Sequence, residues 1–163
     1  VNVQTVPPDA RLEALLPGYT FADAYRVAIA ADLDAHAAAQ LIFDSPPSWV
    51  NGLMALRNAL VRPLGLKAGE RRSATSTAQH VGMFPVLAEA ADEILLGLDD
   101  RHLDFRLAVT VRPIARGTRQ VIVTTVVKTH NRLGRAYLAA ILPFHRLLAR
   151  RMLGRAARRW SRR

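Results

Sequence analysis

His102, Asp104 and Arg106 stand at alternate positions of a run, His102 to Arg112, whose intervening positions hold Leu103, Phe105, Leu107, Val109 and Val111. Alternate side chains of an extended strand leave the same face, so imidazole, carboxylate and guanidinium would be neighbours. Such a set can bind an anion or orient a histidine as general base, as a cyclase or isomerase would require. A half-buried antiparallel strand shows the same alternation for reasons of burial alone, so a solvated sheet face is the competing reading. The His-X-Asp pair could supply two metal ligands, but no third lies at ligand spacing nearby and no metal site is expected. His130 and His145 bracket the start and middle of the last helical segment, where each can simply bond a backbone carbonyl. Nothing in the sequence places a nucleophile beside either ring. Ser45, Ser48, Ser73 and Ser76 lie in no nucleophile-elbow pattern, and there is neither a Gly-rich phosphate loop nor a dinucleotide fingerprint. Hydride and phosphoryl transfer are therefore unsupported, and no cofactor is expected.

These residues need elements to position them. After a short helical turn that Pro8 and Asp9 could start, Tyr19 to Ile29 alternates with Phe21, Tyr25, Val27 and Ile29 on one face, which predicts the first strand. Asp32 or Asp34 can then cap a helix through Phe43, ended by Pro46 and Pro47. A second helix follows from Ser48 to Val61, with Trp49, Val50, Leu53, Met54, Leu56 and Leu60 forming an apolar stripe before Pro63 stops it. Lys67 to Ser76 is a polar, loose stretch. From Ser73 to His130 short extended runs separated by turn residues predict a meander: Thr75 to His80, Met83 to Glu89, Glu93 to Leu98, His102 to Arg112 and Arg119 to His130. The turns fall at Ala90 to Asp92, Asp99 to Arg101 and Pro113 to Thr118. A long amphipathic helix begins near Asn131, carrying Leu133, Tyr137, Ile141, Phe144, Leu148 and Met152 at helical spacing. Pro143 predicts a kink, Gly154 a weak point, and the residues beyond Gly154 a frayed end. The fold class is α+β: an antiparallel sheet of about six strands, two short helices, and the long C-terminal helix packed across it. The domain is expected to occupy residues 1–153, with 154–163 as a basic tail.

A chain of 163 residues, half of them hydrophobic, can bury a core as one domain. The absence of cysteine excludes disulfides, thiolate-ligated metals and thiol nucleophiles, and fits a reducing cytoplasm. Pro7, Pro8 and Asp9 stand where a signal peptide would need an apolar run, and no uninterrupted apolar stretch approaches the roughly 18 residues of a transmembrane span, so a soluble, cytoplasmic protein is expected. The formal charge of +10 is concentrated at one end. From Arg146 to Arg163 there are eight arginines and no acid, and removing them from +10 leaves +2. A nucleic-acid-binding surface over the whole domain is thus not indicated. Contact with anionic lipid, a polyanion or an acidic partner would fall to Arg155, Arg158, Arg159, Arg162 and Arg163, near Trp160. A solvated helix end complementing the helix dipole is the alternative.

The segments Pro46-Pro47-Ser48-Trp49-Val50, Leu53-Met54-Ala55-Leu56-Arg57-Asn58, Asp99-Asp100-Arg101-His102-Leu103-Asp104-Phe105-Arg106, His130-Asn131-Arg132-Leu133-Gly134-Arg135 and Pro143-Phe144-His145 are more specific than element order. Over roughly Tyr19 to Leu153 the chain resembles a bacterial family known only as a domain of unknown function, whose members occur alone or joined to short-chain-dehydrogenase-like domains. The resemblance implies a START-like, polyketide-cyclase-like (SRPBCC-type) helix-grip fold and supplies no reaction. That architecture can hold a small apolar or amphipathic ligand between sheet and C-terminal helix. Trp49, Met54, Met83, Phe84, Phe105, Tyr137, Ile141 and Phe144 would converge there, and Arg57, Asn58, His102 and Asn131 could orient a head group. The same Met and aromatic residues would serve equally as plain core.

Overall fold

The computed structural model describes residues 2–44 and 79–162, together with Ser48, Asn51 and Ala55. Most of the second predicted helix with the candidate site residues Trp49, Met54, Arg57 and Asn58, the polar stretch Lys67 to Ser76, and all but the last two residues of the strand expected from Thr75 to His80 lie outside the described residues, as does Arg163. Ser48, Asn51 and Ala55 are each helical.

Alternating burial builds the sheet. In β2 (Phe21–Ile29), Tyr25, Val27 and Ile29 are buried while Arg26 and Ala28 are exposed. β2 pairs antiparallel along its whole length with β7 (Thr118–Thr129), from Phe21 opposite Val127 to Ile29 opposite Arg119. β7 in turn pairs with β6 (Leu103–Ala115), which pairs with β5 (Glu93–Asp99), and β5 with β4 (Phe84–Glu89). Two short strands finish the edges: β1 (Gln4–Val6) beside β2, and β3 (His80–Val81) beside β4. The described sheet is seven-stranded and antiparallel, in the order β1-β2-β7-β6-β5-β4-β3. The expectation of about six strands misses β1, whose three residues have too little length for a period to show. β6 also runs further than expected. Pro113 sits at an irregularity between Pro113 and Ala115, beyond Thr110, where β5 has already ended, so its missing N–H leaves no central ladder bond unmade.

Three helices are described. α1 (Leu12–Leu15) is a single turn. α2 (Ala35–Phe43) starts at Asp34, whose side chain accepts a 2.8 Å hydrogen bond from the Ala37 amide. α3 (Arg132–Trp160) is one continuous helix of 29 residues that passes through Pro143. The main core lies between one sheet face and helices α2 and α3: Val27, Ile29, Ile94, Leu96, Val109, Val111 and Val121 meet Ala35, Ala38, Ala39 and Ile42 of α2 and Leu153, Ala156, Ala157 and Trp160 of α3. A smaller cluster, Leu12, Leu16 and Val126, covers the reverse face. Leu107, Val109 and Val111 thus share the helix-facing side of β6, as their alternation predicts, and Asp104, Arg106 and Thr110 turn to the other side.

The end of α3 differs from expectation. It does not fray after Gly154: Gly154 is buried beside Val3, and Ala156, Ala157 and Trp160 are buried in the main core, Trp160 only 4% exposed. The reason is helix–helix packing. The alanines of α2 and those of α3 are small enough for two backbones to approach closely, and that contact is absent from any local pattern. The arginines of this segment, Arg155, Arg158, Arg159 and Arg162, lie on the exposed side of an integrated helix. Among the described residues, no helix is long and apolar enough to cross a membrane.

Candidate functional site

His102, Asp104 and Arg106 are engaged in separate pairs. Asn131 caps α3 by accepting from the Gly134 amide at 2.9 Å, and its amide nitrogen lies 2.8 Å from His102 Nδ1. An amide nitrogen can only donate, so Nδ1 is the acceptor and His102 carries its proton on Nε2, which is buried with no partner among the described residues. Asp104 bonds His130 Nε2 at 2.9 Å and accepts from the Asp100 amide at 3.1 Å. Arg106 donates to Asp99 at 2.7 Å and to the Phe105 carbonyl at 2.9 Å. Gly134 explains the tightness of the joint. A Cβ there would stand 2.1 Å from the His102 carbonyl oxygen, which itself accepts from the His130 amide at 2.9 Å. Two of the family-like segments, Asp99 to Arg106 and His130 to Arg135, therefore meet as the joint that fixes the start of α3 against β6. None of His102, Asp104, Arg106 and Asn131 lines the cavity described next.

That cavity, of about 350 Å³, lies between the sheet and α3. Its floor is Leu107 of β6 with Val123 and Thr125 of β7, and its α3 wall is His145, Leu148, Ala149 and Met152, spaced as one helical stripe. One end is closed by Ile42, Phe43 and Asp44 at the end of α2 with Gly82, Met83 and Phe84. Phe84 stacks edge-on against both Phe43 and Phe105, with ring centres 5.5 and 5.6 Å apart, a favoured aromatic arrangement. Gly82 permits the closure: its φ is +59°, and a Cβ would sit 2.7 Å from the Phe43 carbonyl oxygen.

Of the ligand-wall residues read from the sequence, Met83 and Phe84 line the cavity and Phe105 supports Phe84. Tyr137, Ile141 and Phe144 are not part of its described lining. Phe144 is 51% exposed, because the inward stripe at this level of α3 is offset by one residue and carries His145 instead.

A polar cluster occupies the His145 end. Asp23 faces the same side of β2 as Phe21 and Tyr25, and its carboxylate lies 3.1 Å from His145 Nε2. Its other oxygen accepts from the Tyr25 hydroxyl, also at 3.1 Å. Both oxygens of this carboxylate, whose side chain is 11% exposed, are thus occupied by protein donors. Burial, and then the neighbouring Asp23 charge, push the Tyr25 phenol up to about 12, so Tyr25 remains a donor across the physiological range. Phe21 packs edge-on against the His145 ring, centres 6.1 Å apart. Thr125, opposite Asp23 in the β2–β7 register, is buried and contributes a hydroxyl to the same region of the lining. The carboxylate–imidazole pair fixes which nitrogen of His145 faces Asp23 and leaves Nδ1 as the ring's other polar atom. The reading of His145 as bonded to a freed carbonyl gives way to this pair. Asp23 was missed, although one signal could have found it: an acid in phase with Phe21, Tyr25, Val27 and Ile29, on the strand's buried face.

The reverse face holds a second cavity of about 330 Å³, lined by Val6, Asp9, Arg11, Ala24, Thr110, Arg112 and Thr124 among others. Its cations are already neutralised: Arg11 bonds Glu93 at 2.7 Å and Asp9 at 3.3 Å, and Arg112 reaches Asp9 at 3.5 Å. Among the described residues no cluster of three or more acids, histidines or cysteines could hold a metal ion.

No curated protein matches the chain. A family model described as a protein of unknown function, DUF2867, matches residues 15–152, which span every lining residue of the sheet–helix cavity and the Asp23–His145 pair; the chain belongs to that family.

Proposed function

We propose that this chain is a START-like helix-grip module that binds a small apolar or amphipathic molecule between its sheet and α3. The observation that carries the reading is the cavity of about 350 Å³, walled by Leu107, Val123, Leu148 and Met152 and polar only toward its ends. Its volume falls in the range of small-molecule sites, roughly 300 to 1,000 Å³, which are apolar with a few placed polar groups. A cytoplasmic location accords with a chain that has no cysteine. Acid–base catalysis by His102, Asp104 and Arg106 has less support, since all three lie outside the cavity lining, His102 and Asp104 paired with Asn131 and His130 at the start of α3 and Arg106 with Asp99 of β5.

The test is isothermal titration with 2-methoxynaphthalene, a compact apolar probe. Wild-type protein binds it, and Ala149→Phe, which places a ring in the cavity, abolishes binding while holding or raising the melting temperature. Equal binding by both proteins would refute this site.

A second reading draws on a shallow groove formed by Asn2, Val3, Arg150, Arg151, Gly154 and Arg158. With the exposed Arg159 and Arg162, it would make α3 the docking side for anionic lipid or a polyanion. Salt-dependent sedimentation with phosphatidylserine vesicles, lost in Arg150→Glu/Arg151→Glu/Arg158→Glu, supports that contact, and unchanged sedimentation refutes it.

A further inference from the structure

We infer that His145, oriented by Asp23, is the polar anchor of the cavity and selects ligands that end in a hydroxyl donor, an apolar alcohol or phenol. This rests on the cavity being a ligand site.

Asp23 accepts from Tyr25 through one oxygen and pairs with His145 Nε2 through the other. A carboxylate accepts hydrogen bonds through both oxygens, so a neutral imidazole facing Asp23 places its proton on Nε2, toward the carboxylate, and Nδ1 presents a lone pair. His145 lines the cavity beside Leu148 and Ala149, so a molecule filling that space reaches the ring. A lone pair calls for a donor from the ligand, and Thr125, also in the lining, has a hydroxyl able to donate back to the same ligand oxygen. The arrangement disfavours two other head groups. A purely apolar end leaves Nδ1 unsatisfied on desolvation, and a carboxylate end brings a second negative charge toward Asp23. Tyr25 gives its proton to Asp23 and is not among the residues lining the cavity, so it does not compete with His145 as the acceptor there. Phe21 packs edge-on against the ring and helps fix its plane.

The experiment compares matched probes on the full chain by isothermal titration: 2-naphthol, with a hydroxyl donor, and 2-methoxynaphthalene, which lacks it. Wild-type protein binds 2-naphthol about tenfold more tightly, the effect of one well-placed hydrogen bond in a desolvated site. In His145→Leu the preference falls to about one while 2-methoxynaphthalene binding is retained. Should the buried Asp23 charge prevent that variant from folding, Asp23→Ala/His145→Leu removes both partners and makes the same comparison. Nitrogen-15 NMR of the His145 ring adds a readout independent of any variant: in the free protein Nε2 carries the proton, and 2-naphthol shifts the Nδ1 resonance in the direction of an accepted hydrogen bond. Equal wild-type affinities for the two probes overturn the anchor and leave the cavity reading standing. Failure of both probes to bind overturns both. A preference that survives loss of His145 places the anchor elsewhere and overturns the inference.

Discussion

Replacing Gly134 with alanine sets two physical effects against each other with opposite signs. Position 134 lies in the first turn of α3, where helix propensity alone favours alanine over glycine by about 1 kcal/mol. Against this, the new Cβ would stand 2.1 Å from the His102 carbonyl oxygen and 3.0 Å from its carbon, both backbone atoms with no rotamer to change. An ordinary contact requires about 1 Å more, so the start of α3 must move off β6. That movement breaks a set of bonds together: Asn131 to the Gly134 amide at 2.9 Å, Asn131 to His102 at 2.8 Å, and the His130 amide to the His102 carbonyl at 2.9 Å. Loss of the cap costs about 1 kcal/mol and the two other hydrogen bonds about 1 kcal/mol each. With the propensity gain subtracted, Gly134→Ala should destabilise by about 2 kcal/mol, a fall of about 4 to 8 °C in melting temperature for a domain of this size. Differential scanning calorimetry measures the shift. In the cycle with Asn131→Ala the two substitutions should be strongly non-additive, because they break the same bonds. An unchanged or raised melting temperature for Gly134→Ala would refute the joint as described.

Trp160→Ala should cost about 3 to 5 kcal/mol in urea unfolding, whereas Trp160→Phe costs much less because it keeps a ring and removes an indole N–H buried with no partner among the described residues; a neutral Trp160→Ala would restore the frayed-tail picture. Tyr25 imposes an alkaline limit. The native phenol holds its proton to about 12 while the unfolded one releases it near 10.0, so the unfolded state binds fewer protons in that window and stability falls as pH rises, by at most about 3 kcal/mol. Tyr25→Phe should flatten that part of the stability curve in chemical denaturation, and an unaltered slope would contradict the buried Tyr25–Asp23 pairing. Loss of 2-methoxynaphthalene binding in Ala149→Phe, and the roughly tenfold preference for 2-naphthol that depends on His145, test the cavity and its anchor.

What the sequence made legible, and what it hid, divides by the range of the interaction. β2, α2 with its Asp34 cap, the meander and α3 are all written in local periods, because each buries one face and the residues alternate accordingly. β1 is not, since three residues carry no period and its partner β2 lies some twenty positions away, Thr5 opposite Tyr25. The end of α3 reads as an arginine-rich tail until α2 and α3 are seen to pack together, with Ala156 and Ala157 in the same core as the alanines of α2. The alternation of His102, Asp104 and Arg106 is real, but His102 and Asp104 use it to hold the start of α3 through Asn131 and His130, and Arg106 to pair with Asp99 of β5. Conversely, Asp23 and His145 are 122 positions apart, and no spacing rule joins them. Only the odd chemistry of each position hints at a purpose: a carboxylate on the buried face of a strand, and a histidine one residue off the expected helical stripe.

A crystal soaked with 6-bromo-2-naphthol shows directly whether the space between sheet and α3 is a ligand site with His145 at its polar end. The expected result is an anomalous bromine peak inside the cavity toward Phe84 and Met83, with the naphthol oxygen within hydrogen-bond distance of His145 Nδ1. Bromine found only in the reverse-face cavity beside Arg11 and Thr110, or no bound naphthol at saturating concentration, would contradict it.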